Sequence, residues 1–251
     1  MRAYAGAMPL MAVLIFISSA CKESDTGSRP FGVTGPALQG TLFGMVSVQS
    51  ESGKYPDANG GGFLVTIDGT MYSAVTDSFG RWKIESLPAG DYTITISKDG
   101  YGTMKIYNYR FGRGAHGTWP YVFMGKLPDF DVESAATTMA GDTAIISGKL
   151  TNTSTDWRSV FMFLGKTNRV SQLPPDYFQV YGVEVLRNSD TYSGSIPASW
   201  LAHKGIVSGD TVFVAVYAAS EHVISWTDPA TQRDYFSPLS TTSQRIFFVV
   251  P

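Results

Sequence analysis

Polar and apolar residues alternate along much of this chain with the period of two that belongs to half-buried strands. The clearest case lies between Thr76 and Tyr101. Arg81 to Glu85 places Trp82 and Ile84 on one face, and Tyr92, Ile94 and Ile96 form a second apolar row, with Thr93, Thr95 and Ser97 on the other side. Asp77-Ser78-Phe79-Gly80 reads as a turn ahead of the first row. Leu87-Pro88-Ala89-Gly90 separates the rows, because Pro88 fixes φ and lacks a ladder donor while Gly90 tolerates positive φ. Asp99-Gly100 stops the second row. The pattern predicts a β-hairpin over this stretch.

Three more strands precede it: Thr41 to Val48, Phe63 to Ile67 and Met71 to Val75, with a Ser/Gly/Pro/Asp-rich loop from Gln49 to Gly62 and an Asp68-Gly69 turn. The order of Gly44-x-Val46, Val65-x-Ile67, Thr76-Asp77-x-x-Gly80-x-Trp82-x-Ile84, Leu87-Pro88-x-Gly90-x-Tyr92 and Gly100-Tyr101 resembles the carboxypeptidase regulatory-like domain. That resemblance implies a transthyretin-like sandwich of seven strands over about residues 40–126, a module that is generally accessory. It brings no catalytic residue with it, since fold and function separate routinely.

From Thr103 to Met124 the pattern is richer in rings. Tyr107, Tyr109 and Phe111 alternate with Asn108 and Arg110, and the glycine-rich run Gly112 to Gly117 leads to Trp119, Pro120 and Tyr121. Rings at period two predict a shared face, which would serve as a sugar-stacking or partner-binding platform with Arg110 and Arg113 as hydrogen-bond forks. The same rings would equally fill a sandwich core.

Leu127-Pro128-Asp129 marks the expected start of a second domain, 127–251. Its strands are expected at Asp131 to Ser134, Thr143 to Leu150, Ser159 to Gly165, Gln179 to Leu186, Tyr192 to Ile196, Thr211 to Ala218 and Arg245 to Val250. Ser159 to Gly165 is continuously apolar and reads as a central strand; Pro197 to Leu201 is the one expected helical turn. About seven strands at this spacing predict a second sandwich, similar to immunoglobulin or fibronectin-type modules. The fold class is therefore all-β, two sandwiches in tandem. Two long loops are expected, Lys166 to Tyr177 and His222 to Pro238, the latter grouping Trp226, Tyr235 and Phe236 with Asp228, Gln232, Arg233 and Asp234. Such a mixture of flat rings and planar polar groups suits carbohydrate or protein contact, although a loop of this kind is also often purely structural.

The N-terminus carries a different signal. Arg2 precedes the apolar run Met8 to Ile17, too short to span a membrane, so residues 1–20 read as a signal peptide. Cys21, the single cysteine, follows Ser18-Ser19-Ala20 in a placement that resembles the lipobox of bacterial lipoproteins, with Ser18 where an apolar residue is usual. Ordinary cleavage after Ser18-x-Ala20 is the alternative. Lipidation of Cys21 accounts better for an unpaired cysteine in an exported chain. Residues 21–39 read as a flexible tether, whose Lys22-Glu23-Ser24-Asp25 resembles the acidic tethers of Bacteroides-type surface lipoproteins, and an outer-membrane address follows.

Composition narrows the chemistry. With 43% hydrophobic residues, 13% aromatic and a net charge of −2, the chain has material for a substantial core and no basic stripe for nucleic acid. His116, His203 and His222 lack metal-ligand spacing, and there is no nucleophile elbow, phosphate-binding loop or dinucleotide fingerprint. No cofactor or metal is expected. The sequence thus predicts a non-enzymatic, lipid-anchored binding module with a protein partner, or alternatively a carbohydrate-binding lipoprotein of a glycan-uptake system. Its contacts are expected among Tyr107, Tyr109, Arg113, Trp119, Tyr121, Trp226, Arg233 and Tyr235.

Overall fold

A computed structural model describes residues 39–49, 59–112, 120–155 and 157–251. Residues 1–38, with Cys21, lie outside the described residues, as do Arg113, His116 and Trp119. The unit Ala37–Pro251 is built of strands with one short helix among the described residues.

Seven strands form the first sandwich: β1 (Gln39–Gln49), β2 (Leu64–Ile67), β3 (Ser73–Val75), β4 (Arg81–Pro88), β5 (Gly90–Ser97), β6 (Thr103–Phe111) and β7 (Tyr121–Gly125). One sheet has the order β4-β1-β7, with β7 parallel to β1, and the other β3-β2-β5-β6. Leu42, Val46, Trp82, Ile84, Leu87, Val122 and Met124 meet Val65, Ile67, Ile94 and Ile96 in one dry core. The alternation read from the sequence is therefore the inward face of each strand.

The expected hairpin is not one. β4 pairs with β1 while β5 pairs with β2 and β6, so the chain crosses from one sheet to the other between Pro88 and Gly90. Hairpin and arch place the same apolar rows on the core, so periodicity does not tell them apart. The turn chemistry does: tight hairpins need positive φ at their first central residue, which proline cannot adopt. The positive φ falls instead on Ser86, at 55°. The Tyr92 hydroxyl, donating to the Pro88 carbonyl at 2.7 Å, fastens the crossing.

The Asp77 turn forms as expected. Its carboxylate accepts from the Phe79 and Arg81 N–H groups, both at 2.9 Å, and Gly80 sits at φ 78°.

The second sandwich consists of β8 (Val132–Ala140), β9 (Thr143–Leu150), β10 (Arg158–Gly165), β11 (Gln179–Val185), β12 (Thr191–Pro197), helix α1 (Ala198–Ala202), β13 (Thr211–Asp228), β14 (Arg233–Leu239) and β15 (Gln244–Val249). A sheet β12-β9-β8 faces a sheet β11-β10-β13 that continues to β14 and β15, both paired with β13. Ile146, Leu150, Val160, Met162, Leu164, Ile196, Val214 and Val216 are in its main core. β10 is central and buried, as its apolar run predicts.

Two expectations change here. β8 runs on past Ser134 to Ala140 as the outer strand of its sheet. The long loop from His222 to Pro238 is replaced by a β13–β14 hairpin, in which β13 is 18 residues long and only Pro229 to Gln232 turn. Asp228 caps that turn by accepting from the Ala230 N–H at 2.8 Å, and Gln232 takes φ 54°. Pro238 reads as a strand breaker, yet β14 is an outer strand, where a missing N–H is tolerated. The Lys166 to Tyr177 loop folds inward: Val170 and Tyr177 pack with Phe163, Tyr217 and Leu239 in a separate cluster.

The glycines of the first sandwich supply a stability test. A Cβ on Gly80 would lie 1.9 Å from the Val46 carbonyl oxygen, whereas one on Gly100, at a similar φ of 76°, would meet nothing within 4 Å. Gly100→Ala is expected to cost about 1 kcal/mol from backbone strain alone. Gly80→Ala is expected to cost about 3 kcal/mol or more, because backbone must move as well. Urea unfolding of the two variants, compared side by side, measures the difference.

Candidate functional site

Of the sequence-predicted contacts, the structure brings three together. The β13–β14 hairpin has two faces set by strand alternation. Across its ladder Ile224 pairs with Ser237, Trp226 with Tyr235 and Asp228 with Arg233, so these six share one face. That face turns toward the first sandwich: Ile224 packs against the first sandwich's core, and the Ser237 hydroxyl accepts from the Thr103 N–H at 3.1 Å. The opposite face sends Phe236 onto Phe163 and Phe161.

Along the face, the Trp226 and Tyr235 rings lie parallel to within 7°, centroids 5.8 Å apart. Both are half-buried. The Trp226 Nε1–H is buried and has no partner among the described residues, which leaves the flat ring surface as this side chain's contribution.

Tyr107 on β6 faces away from the core, and a bulge parts it from the rings that follow. β6 pairs with β5 as Ile106 to Ile94 and Tyr109 to Tyr92, leaving one extra residue on β6 between these pairs, and Asn108 there takes φ 53°. The bulge breaks the period-two pattern. Tyr109 and Phe111 turn onto the core with Ile106 and Met104, while Tyr107 stays off it. The expected shared face of Tyr107, Tyr109 and Phe111 is thus corrected: a one-residue insertion moves the later rings to the other side.

The electrostatics confirm the grouping. The Tyr107 hydroxyl is raised above its ordinary pKa first by burial and then by the Asp228 carboxylate, with Lys105 opposing and Tyr235 and Asp68 adding to it. Lys105 binds Asp68 at 2.8 Å, and the Thr95 hydroxyl donates to the same carboxylate at 2.7 Å. Burial pushes Asp68 upward, but these partners outweigh it and hold the carboxyl below its usual value. Tyr107, Tyr235, Asp228, Lys105 and Asp68 are therefore within electrostatic reach of one another, with Trp226 stacked on Tyr235.

Of the other candidates among the described residues, Arg233 shares the hairpin face and the rest sit elsewhere. Tyr121, 48% exposed, lies on β7, in the sheet opposite β6, edge-to-face with Phe123 at 5.0 Å. Arg233 is exposed beside Asp228 on the hairpin. Arg110 spends its fork on Asp91, at 2.8 and 3.2 Å. Lys105 and Asp68 were missed by sequence reasoning. The single available signal was the placement of Asp68 at the β2–β3 turn.

One family matches part of the first sandwich. Residues 48–116 match the carboxypeptidase regulatory-like domain. Tyr107, Lys105 and Asp68 lie in the regulatory-like segment, and Trp226 and Tyr235 lie outside it. No curated protein matches the chain. Among solved structures, a DUF3823 family protein from Bacteroides ovatus is similar over 85% of this chain and 100% of its own, at 15% identity and a TM-score of 0.31. A candidate carbohydrate binding protein from Bacteroides uniformis is similar over 82% and 99%, at 12% identity and a TM-score of 0.29. A cohesin–X-dockerin complex from Acetivibrio cellulolyticus matches over 35% of this chain, at 28% identity and a TM-score of 0.28. The chain spans 58% of that protein and 51% of a second variant of the complex.

The Asp68–Lys105 pair sets a pH dependence. Asp68 is depressed in the fold, so its contribution is present above its unfolded pKa and is lost as pH falls through the folded one. Lys105 is raised, first by its bond to Asp68, so its contribution holds below its unfolded pKa and is lost as pH rises through the folded one. Both side chains are about a third exposed, so Asp68→Asn is expected to cost less than about 1 kcal/mol at pH 7. The gap from the parent is expected to close as the solution is acidified below the carboxylate range, measured by thermal unfolding at several pH values.

Proposed function

We propose that this chain is a non-enzymatic binding module of the bacterial outer membrane, anchored by lipid on Cys21, and that it holds a glycan in the angle between its two sandwiches. The observation that carries this reading is the parallel Trp226–Tyr235 pair set beside Tyr107 by strands from both sandwiches. A sugar ring presents an apolar C–H face, which packs on an aromatic plane, and a rim of hydroxyls, which seek fixed donors and acceptors. Asp228 and the Tyr107 phenol supply that rim at this surface, with Lys105 beside them. The reading assigns no step of bond breaking to any residue.

A protein partner on the same surface is the second reading. Tyr, Trp and Arg dominate protein hot spots, and Tyr107, Tyr235, Trp226 and Arg233 supply those residue types here.

Affinity electrophoresis and glycan arrays separate the two. On the first reading the chain is retarded by at least one polysaccharide, and Trp226→Ala and Tyr107→Ala each weaken binding about tenfold, equivalent to about 1.4 kcal/mol. Binding to no polysaccharide leaves the protein-partner reading. Anchoring is tested separately: Cys21→Ala is expected to move the protein from the membrane fraction to the soluble one, and unchanged membrane association would count against lipidation.

A further inference from the structure

Each sheet of the first sandwich has two outer strands, and the two sides of the sandwich are treated differently. On one side β7 and β6 are met by β13, and β6 also by β14. On the other side β4 and β3 have no further strand beside them among the described residues. Between them runs an open groove of about 560 Å³ lined by Phe43, Val75, Asp77, Arg81, Trp82 and Lys83, among others. Phe43 and Val75 are exposed apolar side chains there, at 45% and 63%.

The direction of the backbone groups on β4 follows from the hydrogen bonds at its start. The Gly80 carbonyl accepts from Val46 on β1 at 2.8 Å. Backbone groups alternate sides along a regular strand, so those of Trp82 and Ile84 also face β1, and those of Arg81 and Lys83, with the Glu85 N–H, face the open edge as far as the bulge at Glu85 and Ser86. Arg81 is already closed off. Its N–H donates to the Asp77 carboxylate and its carbonyl accepts from the Asp77 N–H, both at 2.9 Å. At the far end the Ser86 carbonyl accepts from the Tyr72 hydroxyl at 3.1 Å, and the chain bends at Ser86. What remains is a short window in which the N–H and C=O of Lys83 and the N–H of Glu85 point outward.

The side chains at this window are a matched pair. Lys83 and Glu85 lie on the solvent face, 63% and 65% exposed, and bind each other at 2.7 Å. An antiparallel copy of β4 centred on Ile84 sets Lys83 opposite Glu85 of the second copy, and Glu85 opposite its Lys83. These are the residues whose backbone N–H groups face outward, so in each opposed pair the Glu85 N–H donates to the Lys83 carbonyl of the other copy. The four side chains then form a square of alternating charge. Cross-strand pairs of opposite charge stabilise and like pairs destabilise.

We propose that β4 is a self-pairing edge through which two copies of this chain join their first sandwiches into one continuous sheet, β7-β1-β4 running on into the β4-β1-β7 of the second copy. The occupant is a second copy because the window is self-complementary in charge and in hydrogen-bond direction about one two-fold axis. The site is independent of the aromatic cluster, so it stands or falls apart from the glycan reading.

The test is sedimentation equilibrium on the full chain carrying Cys21→Ala to keep it in solution. A reversible monomer–dimer equilibrium is expected. Lys83→Glu and Glu85→Lys, each alone, place like charges opposite and are expected to weaken the dimer on the order of tenfold. Mixing these two variants restores opposite charges across the axis and is expected to restore the dimer, as is the double swap Lys83→Glu with Glu85→Lys. Loss of the in-chain ion pair alone would not be repaired by mixing. A parent chain that stays monomeric at millimolar concentration, or single variants that associate as tightly as the parent, would overturn the proposal.

Discussion

The relation between the two sandwiches depends on one close approach. Gly102, between the bridge at Tyr101 and the start of β6, lies so near the hairpin that an added Cβ would sit 2.2 Å from the Ser237 hydroxyl oxygen. Without a side chain at Gly102, the Thr103 N–H reaches Ser237 and Ile224 reaches the first core. β13 makes this approach possible by its length. Its first half pairs with β10 and β15 inside the second sandwich, and its last residues, after an irregularity between Ala219 and Ile224, pair with β14 at the junction. One strand is thus part of two packing problems, and the Trp226–Tyr235 pair is placed by both.

The alternation that identifies the strands was legible because burial on one face imposes it. Trp82, Ile84, Ile94 and Ile96 are all core, and Ser159 to Gly165 lies in the central strand its unbroken apolarity indicates. Sheet membership was not legible in the same way. An arch and a hairpin bury the same rows, and the distinction rests on whether the residues after Leu87 can adopt a primed turn. Outer strands were the other blind spot. Ala135 to Thr138 on β8 are small or polar and lie on an outer strand, and β14 tolerates Pro238 because its outer edge needs no donor there.

The aromatic cluster shows the same limit from the functional side. Tyr107, Trp226 and Tyr235 were visible as ring-rich stretches, yet their meeting depends on the long β13, and no periodicity encodes the bulge at Asn108 that parts Tyr107 from the rings that follow. Asn is among the few residues that tolerate positive φ, so the bulge does have a local signal. Read as part of Tyr107-Asn108-Tyr109-Arg110, that signal is masked by an alternation that continues through it. The core claims Tyr109 and Phe111, and Tyr107 is left for the junction.

Hydrogen bonds hold several of the buried polar groups in place. In the second sandwich the buried Arg158 guanidinium is fully engaged, donating to the Asn152 carbonyl and side chain and to the Ser189 carbonyl, with its flat face over Phe130. The Tyr192 hydroxyl, raised by burial, donates to the Ser134 carbonyl at 2.8 Å. The Tyr177 hydroxyl, pushed up to about 12 mainly by burial, donates to the Asp234 carbonyl. These groups act as fasteners, and burial is tolerated because each has a partner. The indoles of Trp82, in the first core, and Trp226, against Tyr235, differ, since their N–H groups are buried without a partner among the described residues. An unmatched donor costs stability, so each of these rings is held by the packing of its faces rather than by its polar atom.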